Sequence, residues 1–157
     1  MTDSGCNVFI SHIHEDDAEL GKLKDLIARS GCSVRDASIN SDRPNNAQSP
    51  EYIKQEILAP RIRWASTLIV VISPETHQSE YVNWEIDYAA KQDKRIVGVW
   101  AHGANQCELP DALKNHADAI VGWQGDRVVD AIHGRINNWE TPDGQTCDPQ
   151  VIKRYRC

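Results

Sequence analysis

One carboxylate in the sequence, Glu85, has the spacing of a residue that could do chemistry. At about 100° per residue, Val82, Ile86 and Ala89 define the buried stripe of a predicted helix. Glu85 projects about 60° from the centre of that stripe, so its carboxyl group could be partly buried near the N-terminus of the helix. Such surroundings fix the orientation of a carboxylate and can shift its pKa. A solvated or capping glutamate would have the same spacing, so both interpretations stay open.

Polar residues at the ends of predicted strands should lie close to Glu85. Ser11 and His12 follow the first strand, and Asp36 follows the second. Ser79 is the predicted N-cap of the helix that carries Glu85. In an open α/β sheet, ligands bind outside the carboxyl ends of the strands, where the strand order reverses. We therefore expect a site at this edge of the sheet, between the first and third strands.

Short apolar runs predict the strands that position these groups. Residues 7–11, 67–73 and 96–100 have the apolar character of strands that are buried on both faces of a parallel sheet. Weaker strand candidates lie at 32–35 and 119–123, each between stretches of helical character.

Helical periodicity separates these strands. The first helix should end at Gly31, and the second begins at Ser49 and should bend or end at Pro60. The third begins at Ser79, a short fourth follows, and the fifth extends to Ile136. This alternation predicts an α/β fold, a flavodoxin-like three-layer sandwich whose five-stranded parallel sheet has the order 2-1-3-4-5, with helices on both faces.

Length and composition limit the organisation of the chain. Its 157 residues suit one domain, which we place at 1–139, followed by a C-terminal tail at 140–157. The polar loop at 40–48 is long enough to be functional. The net charge of -6 argues against nucleic acid as a partner. No apolar stretch is long enough to span a bilayer and no signal peptide is evident, so we expect a cytoplasmic protein without membrane contact.

The five cysteines do not form a recognisable framework. They are odd in number, widely spread and never arranged as C-x-x-C. This pattern predicts reduced thiols, with neither a disulfide framework nor a zinc site.

Taken together, these segments resemble the TIR-domain superfamily. The matching features are the run Val8 to His12 with acidic residues behind it, Asp36, the strand 68–73 and the segment 79–86. They cover roughly residues 7–136 in the expected order. Within the superfamily, the sequence is most similar to the TIR-like proteins of bacterial Thoeris antiphage systems.

The catalytic signature of that family is commonly Trp-x-x-x-Glu. Here the matching spacing is Tyr81-x-x-x-Glu85, a modest departure, whereas Trp84 is out of register for that role. The resemblance implies cleavage of the bond between nicotinamide and ribose in NAD+, which is a substrate, with no cofactor and no metal. The product would be ADP-ribose, a cyclised isomer or another ADP-ribosyl nucleotide, made as an antiphage signal and read by a separate effector protein. Glu85 would stabilise the oxocarbenium-like transition state, as glycosidase carboxylates do.

The resemblance also assigns substrate contacts to other residues. Phe9 and Tyr81 could enclose the nicotinamide, although Phe9 could instead be a core residue. Ser11, His12 and Asp36 could contact ribose or phosphate, although Asp36 could simply shape a turn. Ser79 completes the expected substrate-binding set.

Trp84 is a candidate interface residue. It projects opposite the buried stripe, so the side chain would be exposed unless another surface covers it. TIR-like enzymes generally work as assemblies, which implies a homo-oligomer with Trp84 at the contact. A residue of the tail could cover it instead.

Other functions compete with this interpretation. A non-catalytic TIR adaptor that acts by assembly is the main alternative, and an enzyme similar to nucleoside deoxyribosyltransferases is the third. The run His12-Ile13-His14-Glu15-Asp16-Asp17 resembles the H-x-H-x-D-H zinc motif of metallo-β-lactamase-type hydrolases, but Asp17 replaces the last histidine and no later cluster supplies the remaining ligands. A receiver domain would need an acceptor aspartate after the third strand, where Ser73 stands. The chain also contains no P-loop, dinucleotide fingerprint or nucleophile elbow.

Overall fold

The computed structural model describes most of the chain. The described residues are 6–12, 17–36, 58–73, 76–101, 109–123, 125–140 and 146–147. Several predicted features lie outside them, namely the polar loop at 40–48, the start of the second helix at Ser49, and the tail from residue 148 onward.

A single sheet forms the centre of the molecule. Its strands are β1 (Asn7–Ser11), β2 (Ser33–Asp36), β3 (Thr67–Ile72), β4 (Arg95–Trp100), β5 (Ala119–Val121), β6 (Trp139–Glu140) and β7 (Thr146–Cys147). Their order is β2-β1-β3-β4-β5-β6-β7. The first six strands are parallel, and β7 pairs antiparallel with β6. The predicted order 2-1-3-4-5 is therefore confirmed, and two short strands extend the sheet beyond the five that we expected.

Helices alternate with the strands, as predicted. They are α1 (Asp17–Arg29), α2 (Ala59–Trp64), α3 (Glu80–Lys91), α4 (Asp111–His116) and α5 (Gly125–Ile132), with a 3-10 turn at Thr76–Gln78. No helix within the described residues has the length and apolar character that a bilayer-spanning segment requires.

Glycine and proline lie at the ends of three described helices. Gly31 has a φ of 96° and its backbone N–H donates to the carbonyl of Ala28, which confirms the left-handed end of α1. Pro60 lies in the first turn of α2, where no backbone N–H is needed. The segment from Ser49 that Pro60 was predicted to bend or end lies outside the described residues up to residue 57, so that prediction stays open. The fifth helix ends before Ile136 because Gly134, with a φ of 82°, turns the chain.

The two faces of the sheet carry separate hydrophobic cores. Phe9, Leu68 and Ile72 pack with α2, α3 and α4 on one face. Val8 and Ile69 pack with α1 and α5 on the other face. Alternate residues of the central strands therefore serve both cores, which explains their continuous apolar sequence and confirms the three-layer sandwich.

The chain continues into the sheet beyond the predicted domain boundary at residue 139. Glu140 is buried in β6, its carbonyl accepts a hydrogen bond from Trp100 Nε1, and its carboxylate pairs with Arg127. Gly122 donates its backbone N–H to the same carboxylate. Glu140, Thr146 and Cys147 thus pair within the sheet. The boundary itself stays a prediction.

Two cysteines depart from the prediction of reduced thiols. Cys6 and Cys32 form a disulfide, and their Cα atoms are 4.8 Å apart. The residues that follow them, Asn7 and Ser33, are partners in the register of β1 and β2. Parallel pairing therefore brings together two thiols that are 26 residues apart in the sequence. Sequence spacing alone did not reveal this proximity.

Candidate active site

Glu85 lies at the carboxyl end of β1, held by a hydrogen bond from the strand. Its helix α3 begins after the N-cap Ser79 and buries Val82, Glu85 and Ile86 against the sheet. Ser11, the last residue of β1, donates its hydroxyl to Glu85 Oε1 over 2.5 Å. Both side chains are buried, with Glu85 only 1% exposed. The carboxyl group lies at the predicted edge of the sheet. It is fully buried there, whereas the sequence predicted partial burial.

Burial changes the protonation of Glu85. Loss of hydration raises the pKa of Glu85 from 4.5 to about 8, although the Ser11 hydrogen bond and the charge of Arg61 both lower it. The carboxyl group is therefore mostly neutral at pH 7 in the free protein. Its second oxygen, Oε2, is also buried and has no hydrogen-bond partner among the described residues. A buried polar atom in this state is typical of a site that a ligand completes.

Arg61 is a site residue that the sequence did not reveal. It lies in α2, is half-buried, and is close enough for its charge to lower the pKa of Glu85. Helices α2 and α3 pack side by side on the same face of the sheet. Arg61 lies three positions after Leu58, and this spacing does not mark it as a site residue. Its proximity to Glu85 arises only from the packing of the two helices. Its guanidinium brings a positive charge to the site.

Buried hydrogen bonds fix the start of α3. At the end of β3, the Ser73 backbone N–H donates to Thr76 Oγ1 over 2.9 Å, and the Thr76 hydroxyl donates to the Val71 carbonyl over 3.2 Å. Asn83 Nδ2 donates to the Ser79 carbonyl, and Asn83 Oδ1 accepts the backbone N–H of Ala112 in α4. These bonds hold the first turns of α3 against β3 and α4, so Glu85 has a fixed position.

The other predicted binding residues differ in their surroundings. Phe9 is 0% exposed and packs in the core beneath α3, so in this structure it has a packing role. His12 directly follows Ser11 and is half-buried, at the same edge as Glu85. Asp36 ends β2 beside Ile10, but its side chain lies outside the described residues. A substrate contact for His12 or Asp36 stays a prediction.

The opening turn of α3 contains two further predicted residues. The Ser79 hydroxyl accepts the backbone N–H of Val82 over 3.1 Å, so it caps the helix. Tyr81 is half-buried and packs against the core that includes Phe9 and Val82. Ser79 thus has a structural task, whereas Tyr81 keeps a partly accessible ring one helical turn before Glu85.

Trp84 is partly covered by its own helix. Its ring stacks on Tyr88, with centroids 5.1 Å apart and an interplanar angle of 10°. Both rings also pack against the core on the α3 face. Among the described residues, Tyr88 and this core cover part of the Trp84 ring, while most of the tail lies outside those residues. A tail contact and a role of Trp84 in an assembly both stay predictions.

Candidate metal ligands in the described part of the chain lie elsewhere. Cys6, Cys32 and His133 form a group at the amino ends of β1 and β2, opposite the Glu85 edge. Of the zinc-like run that begins at His12, residues 13–16 lie outside the described residues.

Comparison with known proteins agrees with the motif. Residues 9–106, more than half of the chain and inclusive of Glu85, match the model of the family described as Thoeris protein ThsB, TIR-like domain. No curated protein sequence matches the chain.

Several solved structures share the fold. A conserved protein from Enterococcus faecalis V583 superposes with a TM-score of 0.55 at 11% identity, covering 83% of this chain and 99% of that one. The TIR domain of the Toll-related receptor TRR-2 from Hydra magnipapillata superposes with a TM-score of 0.51 at 18% identity, covering 81% and 91%. A CMP N-glycosidase from Clostridium botulinum, BcmB, is a looser match, with a TM-score of 0.46 at 16% identity over 85% and 86%. At these identities the first two likenesses show the fold alone.

Proposed function

This chain belongs to the family of TIR-like domains of Thoeris protein ThsB, and from that premise we propose that it cleaves the nicotinamide–ribose bond of NAD+. The observation that carries the proposal is Glu85: a buried carboxyl group with one oxygen bonded to Ser11 and the other without a partner among the described residues. A ribose hydroxyl is a suitable partner for that second oxygen. The family match includes the segment that contains Glu85, and the geometry of Glu85 adds to the support for the proposal.

The proposed reaction needs few protein groups. When the bond between ribose C1′ and the nicotinamide nitrogen breaks, the electron pair leaves with nicotinamide, which departs as a neutral base from a cationic ring. No general acid is therefore needed. Positive charge develops on the ribose, and an ionised Glu85 stabilises it most strongly in the transition state. Water or another nucleophile then bonds to C1′ and loses its proton.

The raised pKa of Glu85 fits a cationic substrate. In the free protein, burial holds the carboxyl group mostly neutral at pH 7. A bound positive charge favours the carboxylate, so binding of NAD+ and release of one proton are coupled. The Ser11 hydrogen bond to Oε1 supports a fixed position for the carboxyl group, and Oε2, which has no partner among the described residues, is the oxygen proposed to meet the ribose.

The product is proposed to act as a signal. Attack by water gives ADP-ribose, whereas attack by a nucleophile of the substrate itself gives a cyclic isomer. Either nucleotide would be read by a separate effector protein in antiphage defence, and self-assembly of the chain would accompany activity. Tyr81, half-buried one turn before Glu85, is the proposed wall of the nicotinamide pocket.

Nicotinamide release tests the proposal. Purified protein is incubated with NAD+, and nicotinamide and nucleotide products are followed by chromatography beside Glu85→Gln, which keeps the size of the side chain but cannot ionise. Release by the wild type that this substitution abolishes is the expected result. The same comparison in phage-infected cells provides the activating cue if one is needed. Equal protection by Glu85→Gln in those cells would instead favour a non-catalytic adaptor, and base release from deoxynucleosides but not from NAD+ would favour a deoxyribosyltransferase-like enzyme.

A further inference from the structure

Cys6, Cys32 and His133 form a cluster of soft ligands at the opposite end of the sheet from Glu85. One ligand atom from each residue lies within 4.8 Å of the other two. Cys6 directly precedes β1, Cys32 directly precedes β2, and His133 directly follows α5. Cys6 and Ser11 are five residue steps apart along β1, a distance of about 16 Å in an extended strand. This Cys–Cys–His cluster is therefore separate from the proposed active site.

The backbone holds the three residues in place. The pairing of Asn7 with Ser33 aligns the two strands, and the Ser33 N–H donates to the Cys6 carbonyl over 3.0 Å. His133 stays on α5 through a bond from its N–H to the Val129 carbonyl, and the left-handed Gly134 then turns the chain away. The three ligands come from separate elements, so a bound ion would join β1, β2 and α5.

The donor set matches one class of metal. Two thiolates and one imidazole are the ligands that Zn²⁺ takes in proteins, whereas Mg²⁺ and Ca²⁺ require oxygen. The Ser30 hydroxyl donates to the Ile27 carbonyl over 2.6 Å and lies 3.7 Å from Cys32 Sγ, so it provides a polar neighbour to that sulfur. Cys32 is 5% exposed and Cys6 is half-buried, while His133 is exposed and can adjust its ring.

We propose that the reduced forms of Cys6 and Cys32, together with His133, bind a zinc-class divalent ion, with a fourth position left to water. The disulfide in this structure and the metal-bound form are alternative states of the same pair. Two electrons and two protons convert the disulfide to two thiols, and Zn²⁺ displaces both thiol protons when it binds. In the reverse direction, a disulfide or peroxide oxidant accepts the two electrons, the sulfur–sulfur bond forms, and the ion is released.

Metal binding to the full chain in its two redox states tests this proposal. Protein stripped of metal is either reduced with a phosphine and desalted, or left oxidised, and each sample is titrated with Zn²⁺ and separately with Co²⁺. The reduced protein should bind one ion per chain, with Co²⁺ showing thiolate-to-metal absorption, and its unfolding temperature should rise with Zn²⁺. The oxidised protein should show none of these changes. A reduced protein that binds no tighter than the oxidised one would overturn the proposal.

Single-residue variants distinguish metal binding at the cluster from binding elsewhere on the chain. His133→Ala, which changes an exposed side chain, should weaken the reduced protein's affinity at least about tenfold, since even outer-shell partners of a zinc ligand are worth that much. His116→Ala is the matched control, because His116 is an exposed histidine on α4 outside the cluster, and it should bind as the wild type does. Circular dichroism verifies that both variants fold. Equal affinities for His133→Ala and wild type would exclude the imidazole and with it the proposed site.

Discussion

The Ser11 hydroxyl and the Glu85 carboxyl oxygen Oε1, 74 residues apart in the sequence, are 2.5 Å apart and buried together. The bond joins the carboxyl end of β1 to the middle of α3, so it exists only when the sheet and the helix are packed. The hydrogen bond lowers the pKa of Glu85, whereas burial raises it. The charge of Glu85 is therefore set by the balance between hydration loss and two nearby polar groups.

The first prediction concerns pH. Because burial raises the pKa of Glu85 to about 8, the free protein holds mostly neutral Glu85 below that pH. If the carboxylate is the active form, kcat/KM for NAD+ should rise about tenfold per pH unit and level off above pH 8. Initial rates at subsaturating NAD+ in overlapping buffers give the profile. A profile that falls through pH 8 would show that the neutral carboxyl group is active instead.

Ser11→Ala should move that profile to higher pH. The variant removes a hydrogen bond that lowers the pKa of Glu85, so a smaller fraction of the carboxyl group is ionised at pH 7. A hydrogen bond to a charged group contributes about 1.5–3 kcal/mol, so kcat/KM at pH 7 should fall about 10- to 100-fold. Recovery at high pH distinguishes this electrostatic effect from a damaged fold. Thr67→Val, at the start of β3 and the opposite edge of the sheet, is the control for loss of a buried hydroxyl.

Arg61→Gln should act in the same direction as Ser11→Ala and by less. The variant removes a positive charge that lowers the pKa of Glu85, and this influence is smaller than that of the Ser11 bond. Arg63→Gln is the matched control on the same helix, since Arg63 is exposed and donates to the Tyr88 hydroxyl. The pH profiles of both variants are compared with the wild type. Coincident profiles for Arg61→Gln and Arg63→Gln would remove Arg61 from the site.

Glu85→Gln should stabilise the protein while it abolishes NAD+ cleavage. In the wild type, the unfolded chain loses the Glu85 proton near pH 4.5 and the folded chain near pH 8, so stability falls as pH rises between these values. Glutamine has no such penalty, and the gain should be near zero at pH 4 and up to roughly 3 kcal/mol at pH 7. Urea unfolding at both pH values measures it. Glu80→Gln, an exposed change in the first turn of α3, should show no comparable pH-dependent gain.

Arg127→Ala should destabilise the fold strongly. It leaves the Glu140 carboxylate, which is 0% exposed, with only the Gly122 N–H as a described donor. Removal of one partner from a buried ion pair typically costs about 3–5 kcal/mol. Arg135→Ala breaks the more exposed pair with Asp130 and should cost under about 1 kcal/mol. Chemical denaturation of both variants gives the comparison, and equal costs would contradict a structural role for Glu140.

The sequence predicted the parts of this fold that depend on local patterns. Apolar runs located the central strands, and the Ser79 cap and 3.6-residue period located α3. One detail was wrong: the predicted fifth helix extends to Ile136, whereas Gly134, with its positive φ, stops α5 after Ile132. The short strands β6 and β7 carry too few residues for a periodic signal.

The candidate site was predictable only in part, because some of its contacts arise from tertiary packing. Glu85 stands in a recognisable spacing with Tyr81, and Ser11 directly ends an apolar strand. Arg61, in contrast, comes close to Glu85 only when α2 packs on the sheet beside α3. The Cys6–Cys32 bond likewise depends on strand register, which no spacing in the sequence encodes. Contacts of this kind therefore could not be predicted from sequence patterns.

The two-residue strands β6 and β7 also cover the edge of β5, which could otherwise pair with a strand of another chain. Without them, β5 would be the last strand on that side, and its free N–H and C=O groups would form a template for pairing with another chain. Trp100 Nε1, at the end of β4, donates a hydrogen bond to the Glu140 carbonyl, so β6 is held to the centre of the sheet. Truncation after Asn138 would thus be expected to promote intermolecular strand pairing and aggregation, even though every described helix would remain.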